Sequence, residues 1–163
     1  MGNEGPACGK RDTPRFLSLR FPERMSAKDV AFKIPAVCAD TSLDDIISML
    51  IDGKTPHFVV VDDDGNLLGI VTEDDLLKLI SRPSIPTGVG SIVSKEAKFR
   101  ASSTVKDIMT RHPIFVYATQ SLDEVVATMR KYSVGHVAVV DDNKHVVGLI
   151  DKKQLLVVLQ ILK

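Results

Sequence analysis

Several residue types and sequence features are scarce in this chain, and their scarcity narrows the class of protein. Tryptophan is absent, and only two cysteines and two tyrosines occur among 163 residues. Cys8 and Cys38 are too few for a disulfide framework, so we expect a reducing compartment. No run approaches the roughly 20 apolar residues of a membrane span, and the polar N-terminus lacks the apolar stretch of a signal peptide. The sequence therefore predicts a soluble, cytoplasmic protein without a membrane partner.

Charge of one sign is not in excess either, because 21 Lys and Arg balance 21 Asp and Glu. A neutral chain has no field that attracts nucleic acid, and it offers few aromatic rings on which bases could stack. The sequence also shows no nucleophile with a base and an orienting group, no opposed carboxylate pair and no metal-ligand cluster. We therefore expect neither an enzyme nor a nucleic-acid-binding protein, with no metal and no cofactor.

An internal repeat is the dominant feature that is present. The segment SLDDIISML at Ser42 returns as SLDEVVATM at Ser121, an offset of 79 residues. HFVVVDD, from His57, returns at the same offset as HVAVVDD, from His136, and LLGIV returns as VVGLI. Three matches at one offset indicate a duplicated structural unit.

Upstream of these matches the offset is 78 residues. Lys28–Val30 matches Lys106–Ile108, and Pro35 matches Pro113. One residue has therefore been gained in the second copy before Ser121.

Each copy has the strand pattern of a βαββα unit. Apolar runs after a proline predict first strands at Ala36–Ala39 and Ile114–Tyr117. The β-branched runs His57–Val61 and His136–Val140 are too apolar to face water, which favours central strands covered by helices. Acidic turns then lead into a third strand, and a last helix is predicted to begin near residues 73 and 152.

The first helix of each copy is predicted from apolar spacing. In the first copy the spacing is i, i+3, i+4, i+7 and i+8, which places five side chains on one helical stripe: Leu43, Ile46, Ile47, Leu50 and Ile51. Ser42 with Asp45, and Ser121 with Glu124, form capping-box patterns that predict both helix starts.

Two further pairs of residues are interpreted without a ligand. Gly69 and Gly148 are lone glycines in predicted strands, which indicates a close approach of another backbone. Arg111 and His112 precede the first strand of the second copy, and we interpret them as surface residues, with a place in the lining of the cleft as the alternative.

Together these patterns predict an α/β fold built from two βαββα units. A half of about 55 residues would bury little surface alone, so the two halves should pack on each other. We place an N-terminal tail and lead-in at 1–25, the first repeat at 26–81, a Pro- and Gly-rich linker at 82–103 and the second repeat at 104–163.

Duplicated units of this size, with GIVTEDDLL closing the first, resemble a tandem pair of cystathionine β-synthase (CBS) domains, a Bateman module. The resemblance covers Ser26 to Lys163 and includes the motif Gly69-Ile70-Val71-Thr72-x-x-Asp75. It implies two CBS repeats packed through their sheets with pseudo-two-fold symmetry. Members of this family commonly bind AMP, ADP, ATP or S-adenosylmethionine between the repeats, often dimerise, and regulate an attached or partner protein.

The resemblance also implies a ligand site shared between the repeats. In the family, the residues that match Thr72 and Asp75 hold the ribose hydroxyls, and a carboxylate suits that role because its hydrogen bonds are charge-assisted. Apolar residues would sandwich the base, while a histidine and a lysine would face phosphate. The implied set is Ile70, Thr72, Asp75, Ile114, Gly135, His136 and Lys153. The alternative is that Thr72 and Asp75 only cap a helix, and that His57 and His136 only begin strands.

The mirror site has lost this pattern, because Asp151 and Gln154 stand where the first repeat has Thr72 and Asp75. Asp74, with Glu73 beside it, replaces the cation, and these carboxylates would repel a phosphate by about 1 kcal/mol or more. We expect one competent site, and one degenerate site that is empty or accepts an uncharged or cationic adenosyl ligand.

The last helix, LLVVLQIL from Leu155 to Leu162, is apolar on nearly all sides and must be covered. We expect a homodimer, with coverage by Phe16–Phe21 as the alternative. A purely structural dimerisation module without a ligand is the competing function.

Overall fold

The computed structural model describes residues 21–53, 56–80 and 103–161. Its helices are α1 (Ala27–Val30), α2 (Leu43–Asp52), α3 (Glu73–Ile80), α4 (Leu122–Lys131) and α5 (Lys152–Ile161). Its strands are β1 (Ala36–Cys38), β2 (His57–Val61), β3 (Leu67–Thr72), β4 (Thr110–Arg111), β5 (Phe115–Tyr117), β6 (His136–Val140) and β7 (Val146–Asp151). A 3₁₀ turn spans Val105–Asp107. The predicted linker, except Ser103, lies outside the described residues.

The two copies have the same sheet topology. One sheet has the strand order β1-β2-β3-β4 and the other β5-β6-β7. In each, the first two strands are parallel and the next pair is antiparallel. With α2 and α3 in the first copy and α4 and α5 in the second, the predicted βαββα repeats are confirmed. The first strands are shorter than predicted, because β1 ends at Cys38 and β5 begins at Phe115.

The central strands are buried on both faces. Phe58 and Val60 pack with Ile46 of α2 in the core of the first repeat. Val59 packs with Ala138 in a cluster between the two sheets. The prediction of helix-covered strands therefore holds for one face only, since the opposing sheet covers the other.

The capping and stripe predictions hold in part. Ser121 forms the full capping box. The Ser42 hydroxyl accepts a hydrogen bond from the Asp45 amide at 3.1 Å and donates one to its carboxylate at 2.7 Å, but the Ser42 amide does not complete the box. Leu43 is fully buried, but Ile51 is 78% exposed. Eight residues of helix turn Ile51 about 80° away from Leu43, to the margin of the stripe.

The segment that leads into each repeat packs on the other repeat. Around α1, the amide of Ala27 donates to the carbonyl of Gln120 at 2.8 Å, and Phe32 exchanges two 3.0 Å hydrogen bonds with Leu149 of β7. In return, the amide of Val105 donates to Thr41 at 2.9 Å, and β4 pairs with β3. The two repeats are therefore joined by exchanged backbone as well as by their facing sheets.

This exchange explains the two lone glycines. A Cβ on Gly148 would lie 2.7 Å from the carbonyl oxygen of Phe32, and one on Gly69 would lie 2.8 Å from Sδ of Met109 and 3.0 Å from the Thr110 carbonyl. The predicted close approach of another backbone is confirmed at both positions.

The extra residue of the second copy lies between Thr110 and Ile114. The carbonyls of Pro35 and Ile114 accept equivalent hydrogen bonds, each 3.2 Å long, from the second strand of their own repeat. Pro113 is therefore not the counterpart of Pro35, and the match of the two prolines is wrong by one residue. His112, inside the longer stretch, has a left-handed φ of 52°.

Candidate functional site

The candidate site lies at the edge where the third strand of each repeat ends and the second begins. In the first repeat Thr72 pairs with His57, and in the second Asp151 pairs with His136. The two imidazole rings meet across the repeats, with their centroids 4.8 Å apart. Symmetry-related strand ends thus bring four polar side chains to one edge of the interface.

Thr72 and Asp75 form a reciprocal pair at the start of α3. Oδ2 of Asp75 accepts hydrogen bonds from the backbone amide and from Oγ1 of Thr72, both 3.0 Å long, and Oγ1 accepts from the Asp75 amide at 3.4 Å. The Asp75 residue is only 5% exposed. A buried carboxylate requires such hydrogen bonds, so the helix-cap geometry is present in full.

His57 and His136 share an environment that keeps them uncharged near neutral pH. Burial is the main cause that lowers the pKa of His136, and the neighbouring His57 lowers it further. Burial likewise lowers the pKa of His57. The nearby carboxylates of Asp75 and Asp151 oppose the shift in the pKa of His136 without reversing it. The positive charge that the sequence assigned to this region therefore depends on Lys153.

The other implied site residues are distributed over several surroundings. Ile70 is buried between the sheets, and the exposed Gly135 accepts a 3.1 Å hydrogen bond from the first amide of α5. Lys153 is exposed in the first turn of α5. Ile114 packs against the core of the second repeat, in a different cluster from Ile70. The structure thus brings Thr72, Asp75 and His136 together, with Ile70 buried below, but not Ile114.

Sequence reasoning missed Phe115. This residue pairs with Ala138, whose side chain lies between the sheets, and it is partly exposed. Side chains alternate between the faces of a strand, so Phe115 and Ile114 point to opposite faces of β5. The alternation alone could have found Phe115 if the register of β5 had been known.

The mirror junction is built differently. Oδ1 of Asp151 accepts a 2.6 Å hydrogen bond from the Gln154 amide and so caps α5. Its charge acts on both imidazoles, and the charges of Glu73 and Asp74 act on His57. This side of the interface carries carboxylates where the first junction has a hydroxyl.

Two cavities among the described residues lie outside the junction. One, of about 700 Å³, runs along β5 and includes Ile114 in its lining. The other, of about 660 Å³, lies between α4 and α5 beside Phe21. Thr72, Asp75 and His136 line neither of them.

The family comparison agrees with this fold. The CBS domain model matches residues 27–82 and 105–161. The chain therefore belongs to the CBS domain family.

Solved CBS domain pairs share the architecture. The pair of protein MJ0100, in complex with 5′-methylthioadenosine and S-adenosyl-L-methionine, is 26% identical with a TM-score of 0.65, over 85% of this chain and 98% of that one. CBSX2 in complex with AMP, a protein of Arabidopsis thaliana, is 23% identical with a TM-score of 0.67 over the same shares. The second likeness shows the fold alone.

Curated relatives include both long and short proteins. L-aspartate semialdehyde sulfurtransferase of Methanocaldococcus jannaschii is 28% identical over 129 residues, which is 78% of this chain and 22% of that protein. Homoserine O-acetyltransferase of Methanobrevibacter ruminantium is 26% identical over 86% of this chain and 24% of its own length. A CBS domain-containing protein of Dictyostelium discoideum is 30% identical over 72% of this chain and 78% of its own length. This chain thus spans less than a quarter of the two named enzymes.

Residues 21–53, 56–80 and 103–161 contain neither a membrane-spanning helix nor a metal-binding cluster. No helix there is long and apolar enough to cross a bilayer. No three His, Cys, Asp or Glu side chains in that part of the chain are grouped so that they could hold a metal ion.

Proposed function

We propose that this chain is a non-enzymatic regulatory module of the cytoplasm that binds an adenosine-containing ligand between its repeats. Thr72 and Asp75 would hold the ribose hydroxyls, with His136 and Lys153 on the facing repeat. The observation that carries this proposal is the burial of the Asp75 carboxylate.

Burial sets Asp75 apart from the other capping acids. Four further carboxylates accept hydrogen bonds from a Ser or Thr three residues earlier, and all four residues are exposed: Asp29, Asp45, Asp107 and Glu124. A helix cap therefore does not require burial in this chain. Burying a charge is costly. A helix cap alone does not explain why Asp75 is buried, whereas binding the two hydroxyls of a ribose would.

The charges around the site bear on the choice of ligand. Lys153 favours the phosphate of AMP, ADP or ATP. Asp151, Asp74 and Glu73 surround the uncharged histidines on the other side and favour a cationic sulfonium, as in S-adenosylmethionine. The MJ0100 pair, which holds an adenosyl sulfonium ligand, supports the second class.

Signalling would proceed through protein contacts rather than chemistry. Leu156 of α5 is 66% exposed and Ile161 is 77% exposed, and covering such side chains is favourable. We propose that this face joins two copies of the chain, although Phe21 already covers part of the adjoining groove. Light scattering on the full chain measures the mass directly, and a monomer at all concentrations would exclude the dimer.

Calorimetric titration tests the ligand site. AMP, ADP, ATP, 5′-methylthioadenosine and S-adenosylmethionine are titrated into the wild type, Asp75→Asn and the control Asp45→Asn. Because Asp45 is an exposed cap of the same repeat, its variant should bind normally, whereas Asp75→Asn should weaken binding about tenfold or more. Absence of saturable binding, or equal binding by Asp75→Asn, would exclude the site.

A further inference from the structure

A cavity of about 700 Å³ runs along the outer edge of β5, and we refer to it as the edge cavity. Its lining comes from both repeats, because Asn66 and Leu67 of the first repeat's hairpin face residues of the second. Phe115 of β5 and Lys131, at the end of α4, belong to it, but Thr72 and Asp75 do not. The residues assigned above to the ribose therefore lie outside the edge cavity, and Ile114 is the one member of the implied adenosyl set that lines it.

The charge of this lining has one sign. Lys131 and Lys144 line the edge cavity, and none of the described lining residues is Asp or Glu. The groove between α4 and α5 differs, because Asp123 lines it together with Arg130. In a chain with equal numbers of acidic and basic residues, a cavity with two lysines and no acid is suited to an anion.

The two lysines have no basic counterpart in the first repeat. At the repeat offset of 79, Asp52 stands in place of Lys131 and Gly65 in place of Lys144. This pair of cations is therefore particular to the second repeat.

Two lining residues have left-handed backbone conformations. Lys144 has φ of 68° in the turn where Gly65 has 84°, and His112 has φ of 52°. The left-handed region disfavours every residue with a Cβ, and glycine adopts it without that penalty. Lys144 therefore places a cation at a turn position where glycine would be more stable.

Aromatic rings complete the lining. Phe115 is 39% exposed and Tyr132 is 49% exposed, and Nζ of Lys131 lies 5.0 Å from the centre of the Tyr132 ring. We propose that the edge cavity is a second ligand site, which takes a small anion that carries an apolar ring. The lysines bind the anionic group, and the aromatic side chains contact the ring.

Fluorescence titration of the full chain with 8-anilinonaphthalene-1-sulfonate tests this proposal, with the uncharged N-phenyl-1-naphthylamine as a matched probe. The variant Lys131→Gln/Lys144→Gly removes two cations, and its glycine restores the turn residue of the first repeat. The control Arg130→Gln/Lys152→Gln removes two cations from the groove between α4 and α5. We expect about a tenfold weaker sulfonate affinity in the first variant only, and no change for the uncharged probe.

Three results would overturn the second site: equal losses in both double variants, no loss in the first, or wild-type affinity for the uncharged probe that matches the sulfonate. Lys144→Gly alone should unfold at the same temperature as the wild type or higher, which separates lost binding from lost folding. Asp75→Asn should leave sulfonate binding unchanged, so this proposal and the adenosyl site can fail independently.

Discussion

The two strand-to-helix junctions at the repeat interface share a backbone and differ in chemistry. In the first, the acid is Asp75, three residues into the junction and buried; in the second it is Asp151, at the end of the strand and half-buried. Asp151 caps the helix that follows it, whereas the first junction is capped by Thr72 and the Asp75 carboxylate accepts in return from the Thr72 amide. Duplication has therefore preserved the register of the strands, while the two junctions differ in the position of one carboxylate, on which the proposed ribose site depends.

The largest expected difference in stability between the repeats concerns Gly69 and Gly148, which lie against the exchanged segments. Gly148→Ala should lower the free energy of unfolding by about 2–3 kcal/mol, because its Cβ would meet a backbone oxygen that cannot turn aside. Gly69→Ala should cost less, since the nearest atom is Sδ of the flexible Met109 side chain. Urea denaturation of both variants measures the difference.

Gly135→Ala is the matched control, because a Cβ there would have no neighbour within 4 Å. Its stability should stay close to that of the wild type. If Gly148→Ala and Gly135→Ala were equally stable, the lead-in segment at Phe32 would not pack against β7 in solution.

A smaller difference is expected at the first helices of the two repeats. Glu124→Ala should destabilise the chain by about 1 kcal/mol, because the Glu124 carboxylate accepts hydrogen bonds from both the amide and the hydroxyl of Ser121. Asp45→Ala should cost less, because the Asp45 carboxylate accepts from the Ser42 hydroxyl and completes no reciprocal box with the Ser42 amide. Thermal unfolding of the two variants compares the caps directly, and a larger loss in Asp45→Ala would reverse the assignment.

The sequence predicted those elements whose signal is local. The strands at His57 and His136 and the helix starts after Ser42 and Ser121 follow from short runs of residues and match the structure closely. These features depend on side-chain periodicity, which a duplicated sequence displays twice.

Features set by distant contacts could not be predicted. Nothing in the residues around Ala27 indicates that its amide bonds to Gln120, more than 90 positions later. The register of β5 depends on β6, so the matching prolines misplaced Ile114 by one residue. The pattern Thr-x-x-Asp resembles the exposed caps of this chain, so the sequence does not indicate that Asp75 is buried.

The smallest expected effect concerns acid stability and the paired histidines. His57 and His136 have folded-state pKa values below the ordinary 6.5, mainly because they are buried. Between the folded and unfolded values the unfolded chain binds more protons, so the free energy of unfolding falls as the pH drops below 6.5. Denaturation measured from pH 8 to pH 5 should show this loss on top of the carboxylate titrations, and His136→Gln should reduce its slope. The carboxylates of Asp75 and Asp151 moderate the effect, because they favour the charged imidazole. An unchanged slope in His136→Gln would mean that the His136 imidazole takes up protons as readily in the folded chain as in the unfolded one. The two histidines between the junctions would then not both be uncharged near neutral pH.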